Sequence, residues 1–244
     1  MTTRLLGHRG ASVPAPENTA TAIRLALSHG AEGVEFDVRA LADGTAVLMH
    51  DAEVDRTTNG EGALASMSYE AVAALDAGGW KGEEFAGERV PRLEDILAEF
   101  LGKAYLALEM KEILPEPALA AIGQAYREHL GAELVLASFD ARALERARDI
   151  APAVPRTLIL GPQTPFPPAE LIQYLGLTGL FAPDQRTDER LVIECRRAGL
   201  SPTVYTVNDT GRAEVLAALG VEGIISDDPQ TLRPHLPRAD EVAG

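Results

Sequence analysis

Cysteine is nearly absent: Cys195 is the only one among 244 residues. That excludes an internal disulfide framework and a zinc site built from several thiolates, and it fits a reducing compartment. Aromatic residues are scarce at 5%, which leaves little material for the stacking platforms that sugar-cleaving sites use. Basic residues are in deficit, with 22 Lys+Arg against 37 Asp+Glu and a net charge of −15. Such a balance argues against sequence-independent binding to nucleic acid or to an anionic membrane surface, both of which are held mainly by Lys and Arg. No run approaches the roughly 18 apolar residues of a membrane-spanning helix. Met1-Thr2-Thr3-Arg4 leads straight into a strand-like run, without a cleavable signal ahead of it. The expected location is the cytoplasm, with no stable membrane anchoring.

What is present is an alternation of short apolar runs with longer amphipathic ones. The strand candidates are Arg4–Arg9, Gly33–Arg39, Ala104–Lys111, Leu134–Ser138, Arg156–Leu160, Gly179–Ala182, Thr203–Val207 and Glu222–Ser226. Helical patterns between them include Asn18–Ser28, Leu93–Leu101, Glu116–His129, Ala141–Ile150, Asp188–Ala198 and Gly211–Leu219. Several end at Gly, the usual place for a left-handed cap. Repeated strand-then-helix units imply parallel strands with helical crossovers. Eight such units in a chain of about 250 residues match a closed (β/α)8 TIM barrel. A doubly wound open sheet is the alternative, because periodicity does not show closure.

One segment breaks the rhythm. Asp43-Gly44 is a hairpin signal, Ala46–His50 reads as an extra short strand, and residues 51–91 are rich in turn residues without a βα unit. A loop that long is usually functional. The segment reads as a small insertion subdomain after the second strand, over the C-terminal mouth of the barrel, within one catalytic domain spanning 1–244.

In such barrels the chemistry sits at the C-terminal strand ends. Three of these are polar: His8-Arg9-Gly10, Glu35-Phe36-Asp37 and Glu109-Met110-Lys111. Residues i and i+2 share a strand face, so Glu35 and Asp37 point one way, as do Glu109 and Lys111. With Val34, Phe36 and Val38 packed outward, the carboxylates face the barrel interior. Three clustered acids raise one another's pKa unless compensated. A hard divalent cation, Mg2+ or Ca2+ with Mn2+ as a further option, suits an all-oxygen set. The competing explanation is an ion-pair network with Arg9, Arg39 and Lys111.

Of the five histidines, His29 and His129 lie in last helical turns, where a cation complements the dipole, and His235 carries no signal. His8 and His50 end strands at the rim of one site. Two imidazoles there can work as an acid–base pair near neutral pH.

These motifs resemble the glycerophosphodiester phosphodiesterase family. The match runs through His8-Arg9-Gly10-Ala11-Ser12, Pro16-Glu17-Asn18-Thr19, Gly33–Val38, Asp43-Gly44, His50-Asp51 and Arg56-Thr57-Thr58-Asn59-Gly60. It continues through Leu75–Gly78, Glu109-Met110-Lys111, Ser138-Phe139, Tyr205–Asn208 and Gly223–Pro229, covering essentially the whole chain in order. The resemblance implies a (β/α)8 barrel with an insertion after strand two. It implies Glu35, Asp37 and Glu109 as metal ligands, His8 and His50 as the catalytic pair, and Arg9 and Lys111 as phosphate holders. Tyr205, where many members carry Trp, and Asn208 fall at substrate-side positions. The implied reaction is metal-assisted cleavage of a small-molecule glycerophosphodiester to sn-glycerol 3-phosphate and an alcohol, through attack by water or, with a cyclic phosphate, by the glycerol 2-hydroxyl.

Three rivals stand beside it. One is a glycosidase using two of the three acids. Another is a barrel that kept the fold as a binding protein, although all five chemical positions are filled. The third is lysophospholipase D activity within the same family, for which Leu64, Met67, Tyr69, Val72 and Leu75 offer an apolar patch that helical spacing also explains as core.

Overall fold

The computed structural model describes residues 3–129 and 131–237. Its elements, in order, are β1 (Arg4–His8), α1 (Ala20–Ser28), β2 (Gly33–Ala40), β3 (Ala46–Leu48), α2 (Tyr69–Ala73), α3 (Leu93–Phe100) and β4 (Tyr105–Met110). There follow α4 (Glu116–Glu128), β5 (Leu134–Ser138), α5 (Ala141–Ile150), β6 (Arg156–Ile159), α6 (Ala169–Leu175) and β7 (Leu177–Pro183). The chain continues with α7 (Glu189–Arg197), β8 (Ser201–Tyr205), α8 (Thr210–Leu219), β9 (Gly223–Ser226) and α9 (Pro229–Leu232).

β1 pairs in parallel with both β2 and β9, so the sheet closes. Around the ring run β1, β2, β4, β5, β6, β7, β8 and β9. The open doubly wound sheet is thereby excluded. β3 stands outside the ring, antiparallel to the far end of β2 through Val38 and Leu48, Arg39 and Val47, and Ala40 and Ala46.

Side-chain alternation sorts two hydrophobic layers. On β2, Val34, Phe36 and Val38 point outward into the layer under the helices. On β4, Leu106, Leu108 and Met110 do the same. The barrel interior is filled by Leu6, Ala107, Val135, Ala137, Ile159, Phe181 and Ile225. Glu35, Asp37 and Glu109 therefore face inward, in the phase read from the sequence.

Helices α1, α2, α6 and α9 depart from the sequence reading. α1 starts at Ala20 rather than Asn18, capped by Thr19, whose hydroxyl accepts from the Ala22 N–H. Asn18 is left outside because it adopts a left-handed φ of 58° and uses its side chain on β2. α6 carries no apolar stripe for the sequence to show, since only Leu175 of its residues is buried.

Residues 51–91 hold one short helix, α2, and two 3-10 turns. Leu64 and Val72, with Met67, Tyr69 and Leu75 packed against them, join Leu41, Val47, Met49 and Val54 in a cluster of their own. The apolar patch considered for an acyl chain is thus core. Among the described residues, no helix is long and apolar enough to cross a membrane.

Candidate active site

Register alone assembles the acidic cluster. His8 on β1 lies opposite Glu35 on β2, and Asp37 on β2 lies opposite Glu109 on β4. One oxygen from each of Glu35, Asp37 and Glu109 can be chosen so that all lie within 4.8 Å of one another. All three residues are buried, Asp37 to 1% exposure.

The ion-pair explanation accounts for only part of this cluster. Lys111 Nζ lies 2.6 Å from Glu109 Oε1 and 3.5 Å from Asp37 Oδ1, and Arg9 Nε lies 3.1 Å from Asp37 Oδ2. Arg39 is elsewhere, pairing with Glu112 and donating to the His50 carbonyl. Glu35 Oε1 and Asp37 Oδ1 remain fully buried without a hydrogen-bond partner. Unpartnered buried carboxylate oxygens are costly. Burial, with Asp37 and Glu109 alongside, pushes the Glu35 carboxyl well above the usual range. Burial and Asp37 raise Glu109 too, against the pull of Lys111. Orphaned, convergent carboxylate oxygens fit a hard divalent cation, which the three acids would hold.

The cluster is buttressed from the loop after β1. Asn18 donates from Nδ2 to Asp37 Oδ2 at 2.8 Å and accepts from the Asp37 N–H at 3.0 Å. Arg9, like Asn18, is a non-glycine residue with a left-handed φ, here 56°. Such strain gathers at functional sites. The turn lets the Arg9 N–H donate to Glu35 Oε2 while its Nη1 donates to Glu17 at 2.8 Å. Burial alone would lower the Arg9 pKa, but Asp37, Glu17 and Glu35 outweigh it and hold it raised. Gly10 (φ 83°) must be glycine, since a Cβ would sit 2.5 Å from the Ala22 backbone carbon.

Each rim histidine is held by an aspartate at Nδ1. His8 Nδ1 lies 2.6 Å from Asp227 Oδ1, and His50 Nδ1 lies 2.6 Å from Asp51 Oδ1. That leaves Nε2 of each ring for chemistry. His8 Nε2 lies 3.9 Å from Glu35 Oε2, directed at the acidic cluster. Asp227 is itself fixed by Ser12 and Asn208; burial opposes its ionisation, yet hydrogen bonds from His8, Asn208 and Ser12 bring its pKa down to about 2. The hydrogen bond from Arg56, helped by His50, brings Asp51 to about 2.

The nine site residues expected from the sequence, His8, Arg9, Glu35, Asp37, His50, Glu109, Lys111, Tyr205 and Asn208, lie together, but two have contacts that the motifs did not foretell. The amide of Asn208 is engaged with the Asp227 carboxylate and backbone and with the Ser226 hydroxyl, so it serves the His8–Asp227 pair. Tyr205 donates its hydroxyl to the Leu160 carbonyl at 2.5 Å and turns its ring to a small cavity shared with His8, Glu35 and Glu109. Burial, with Glu109 nearby, pushes its phenol up to about 12. Half-exposed Phe139 meets Tyr205 edge-on at 6.2 Å and lies under Lys111 Nζ at 6.0 Å, completing an aromatic wall. Asp227, Asp51, Asn18 and Phe139 were visible only as parts of motifs; the rule that strand ends carry the chemistry would have flagged Asp227, one residue past β9.

A carboxyl whose pKa is higher folded than unfolded binds extra protons in the folded state. Its stabilising effect is present at low pH and is lost as pH rises through the raised value. Cation-free protein should therefore lose stability from Glu35 and Glu109 as pH climbs above the usual carboxylate range. A divalent cation needs those acids ionised. The gain in melting temperature on adding Mg2+ is expected to be larger at pH 8 than at pH 5, and Glu35→Gln should remove the gain. A gain independent of pH, by differential scanning fluorimetry, would contradict this.

Residues 8–231 match the glycerophosphoryl diester phosphodiesterase family. A glycerophosphodiester phosphodiesterase from Caldanaerobacter subterraneus subsp. tengcongensis is 34% identical over 238 residues, covering 95% of this chain and 97% of that protein. The structure of an Oleispira antarctica phosphodiesterase in complex with the product sn-glycerol-3-phosphate superposes with a TM-score of 0.86 at 31% identity, covering 96% of each chain. A glycerophosphodiester phosphodiesterase structure from Agrobacterium tumefaciens gives 0.83 at 33% identity, over 95% of this chain and 99% of that one. Carrying the family's sequence over nearly its whole length, on a closed barrel with an acidic cluster between two rim histidines, the chain belongs to the glycerophosphodiester phosphodiesterase family.

Proposed function

We propose that this chain hydrolyses glycerophosphodiesters to sn-glycerol 3-phosphate and an alcohol. The observation that carries the reading is the pair of Nδ1-anchored histidines beside three buried carboxylates with orphaned oxygens. Glu35, Asp37 and Glu109 would hold one divalent cation, Mg2+ or Ca2+ with Mn2+ as an alternative. When bound, it supplies Lewis-acid stabilisation of charge on the phosphoryl oxygens. Arg9 and Lys111 bind and orient the non-bridging oxygens. One of His8 and His50 takes the proton of the attacking hydroxyl at Nε2, and the other delivers a proton to the leaving alkoxide. Attack by the glycerol 2-hydroxyl, with a cyclic phosphate that water then opens, requires no nucleophile from the chain. Tyr205 and Phe139 form the wall on the glycerol side, and Asn208 keeps Asp227 against His8.

We read residues 1–244 as one catalytic domain in which 51–91 covers the mouth. This is supported by Lys81 reaching the Ser12 carbonyl at 2.7 Å and by the contacts of Asp51 and Arg56. Three acids converging on one point, rather than two flanking a cleft, argue against the glycosidase. The acidic surface disfavours nucleic acid as a partner. The buried free Cys195, whose thiol burial pushes up to about 12, suits a cytoplasmic setting. A panel of glycerophosphodiesters, bis(p-nitrophenyl) phosphate and nitrophenyl glycosides tests the reading. Turnover of the phosphodiesters alone is expected; turnover of the glycosides would sink it.

A further inference from the structure

Arg56 makes no contact with the acidic cluster, yet it spends three nitrogens on two carboxylates that border it. Its Nε donates to Asp51 Oδ2 at 2.5 Å, and Nη1 and Nη2 donate to the two oxygens of Glu17 at 2.8 Å each. Asp51 holds Nδ1 of His50 at 2.6 Å. Glu17 accepts from Nη1 of Arg9 at 2.8 Å, and Arg9 Nε lies 3.1 Å from Asp37. One guanidinium thus joins the histidine at one side of the site to the arginine at the other, its own contact with Glu17 spanning 39 residues of sequence.

The chemistry favours arginine here. A planar fork can serve two carboxylates in fixed directions, whereas an ammonium is a point charge without that geometry. Glu17 is 12% exposed at its side chain. Its burial would raise its pKa, but the hydrogen bonds from Arg56 and Arg9 outweigh this and keep it lowered. Without Arg56, Glu17 would keep a single cationic partner, and Asp51 would hold the imidazole with nothing behind it.

We propose that Arg56 is a positioning residue for the reaction: by clamping Asp51 and Glu17 together it sets Nε2 of His50 against the phosphate bound by Arg9. The inference rests on the role given above to His50. Arg56 touches none of Glu35, Asp37 and Glu109, so its loss should act on turnover rather than on cation binding. Misplacement of a catalytic group by about 1 Å can cost on the order of 10^2-fold in rate.

The test uses Arg56→Ala and Arg56→Lys in the full chain, with kcat, KM for a glycerophosphodiester, the Mg2+ midpoint and the melting temperature as readouts. Arg56→Ala is expected to lower kcat about 10–100-fold while KM and the Mg2+ midpoint stay within about threefold. Arg56→Lys should recover only part of the loss. In a His50→Ala background, adding Arg56→Ala should cost less than about threefold, because coupled residues are not additive. The proposal is overturned by a kcat within about twofold of the parent, by an equal loss in both backgrounds, or by a Mg2+ midpoint that moves as far as kcat. If Arg56→Ala does not fold, Arg56→Lys decides: lowered kcat at unchanged melting temperature supports the clamp, and parental kcat refutes it. His50→Ala with parental turnover would instead break the underlying reading, an outcome distinct from an inactive His50→Ala beside a normal Arg56→Ala.

Discussion

Replacing either His8 or His50 by alanine is expected to lower turnover of a glycerophosphodiester by about 10^2–10^4-fold while the protein stays folded, as loss of one general acid or base typically does. Both rings are only partly buried, at 20% and 32% side-chain exposure, and neither belongs to the hydrophobic clusters. Their removal therefore leaves the packing intact. Each is gripped at Nδ1 by an ionised aspartate, Asp227 or Asp51, which fixes the ring and leaves Nε2 as the working atom. Steady-state kinetics on each variant, with circular dichroism to verify the fold, checks this. Near-parental turnover in either would remove that histidine from the mechanism.

Stripping divalent cations is expected to have a still larger effect, bringing activity to background, with Mg2+, Mn2+ or Ca2+ restoring it. The reason lies in the local charge. With all three acids ionised, three negative charges face Arg9 and Lys111 and the pocket repels an anionic diester; a divalent cation, which needs the acids ionised, reverses the sign. Glu35 Oε1, buried without a hydrogen bond, and Asp37 Oδ1, with only Lys111 Nζ at 3.5 Å, show that Arg9 and Lys111 alone do not satisfy the cluster. Asp37→Asn should abolish restoration, because Asp37 is the acid that Asn18, Arg9 and Lys111 all approach. Isothermal titration with Mg2+ of EDTA-treated protein, followed by activity assays, reads both effects. Full activity in a demonstrably cation-free sample would refute the role of the three acids.

The overall net charge of −15 is thus a poor guide to the site, although it remains a sound guide to the surface. The barrel was legible because β2 and β4 alternate cleanly: Val34, Phe36 and Val38 mark the outer face and so place Glu35 and Asp37 inside. Closure was not legible, since it depends on β1 meeting β9 across the length of the chain. The same distance hid the aspartate of His8, which lies 219 residues away. Asn18 fits the helical pattern of its neighbours in the sequence; its left-handed φ and its grip on Asp37 are tertiary facts. Arg56 and Asn208 contact other side chains of the site rather than the acidic cluster, and no local spacing announces such contacts.

The most direct test of the account is the identity of the bond broken. Glycerophosphocholine incubated with the Mg2+-loaded protein can be followed by 31P NMR. sn-Glycerol 3-phosphate is expected to grow in as the final phosphorus-containing product, with free choline beside it. Phosphocholine and glycerol, from cleavage on the other side of the phosphorus, would contradict it.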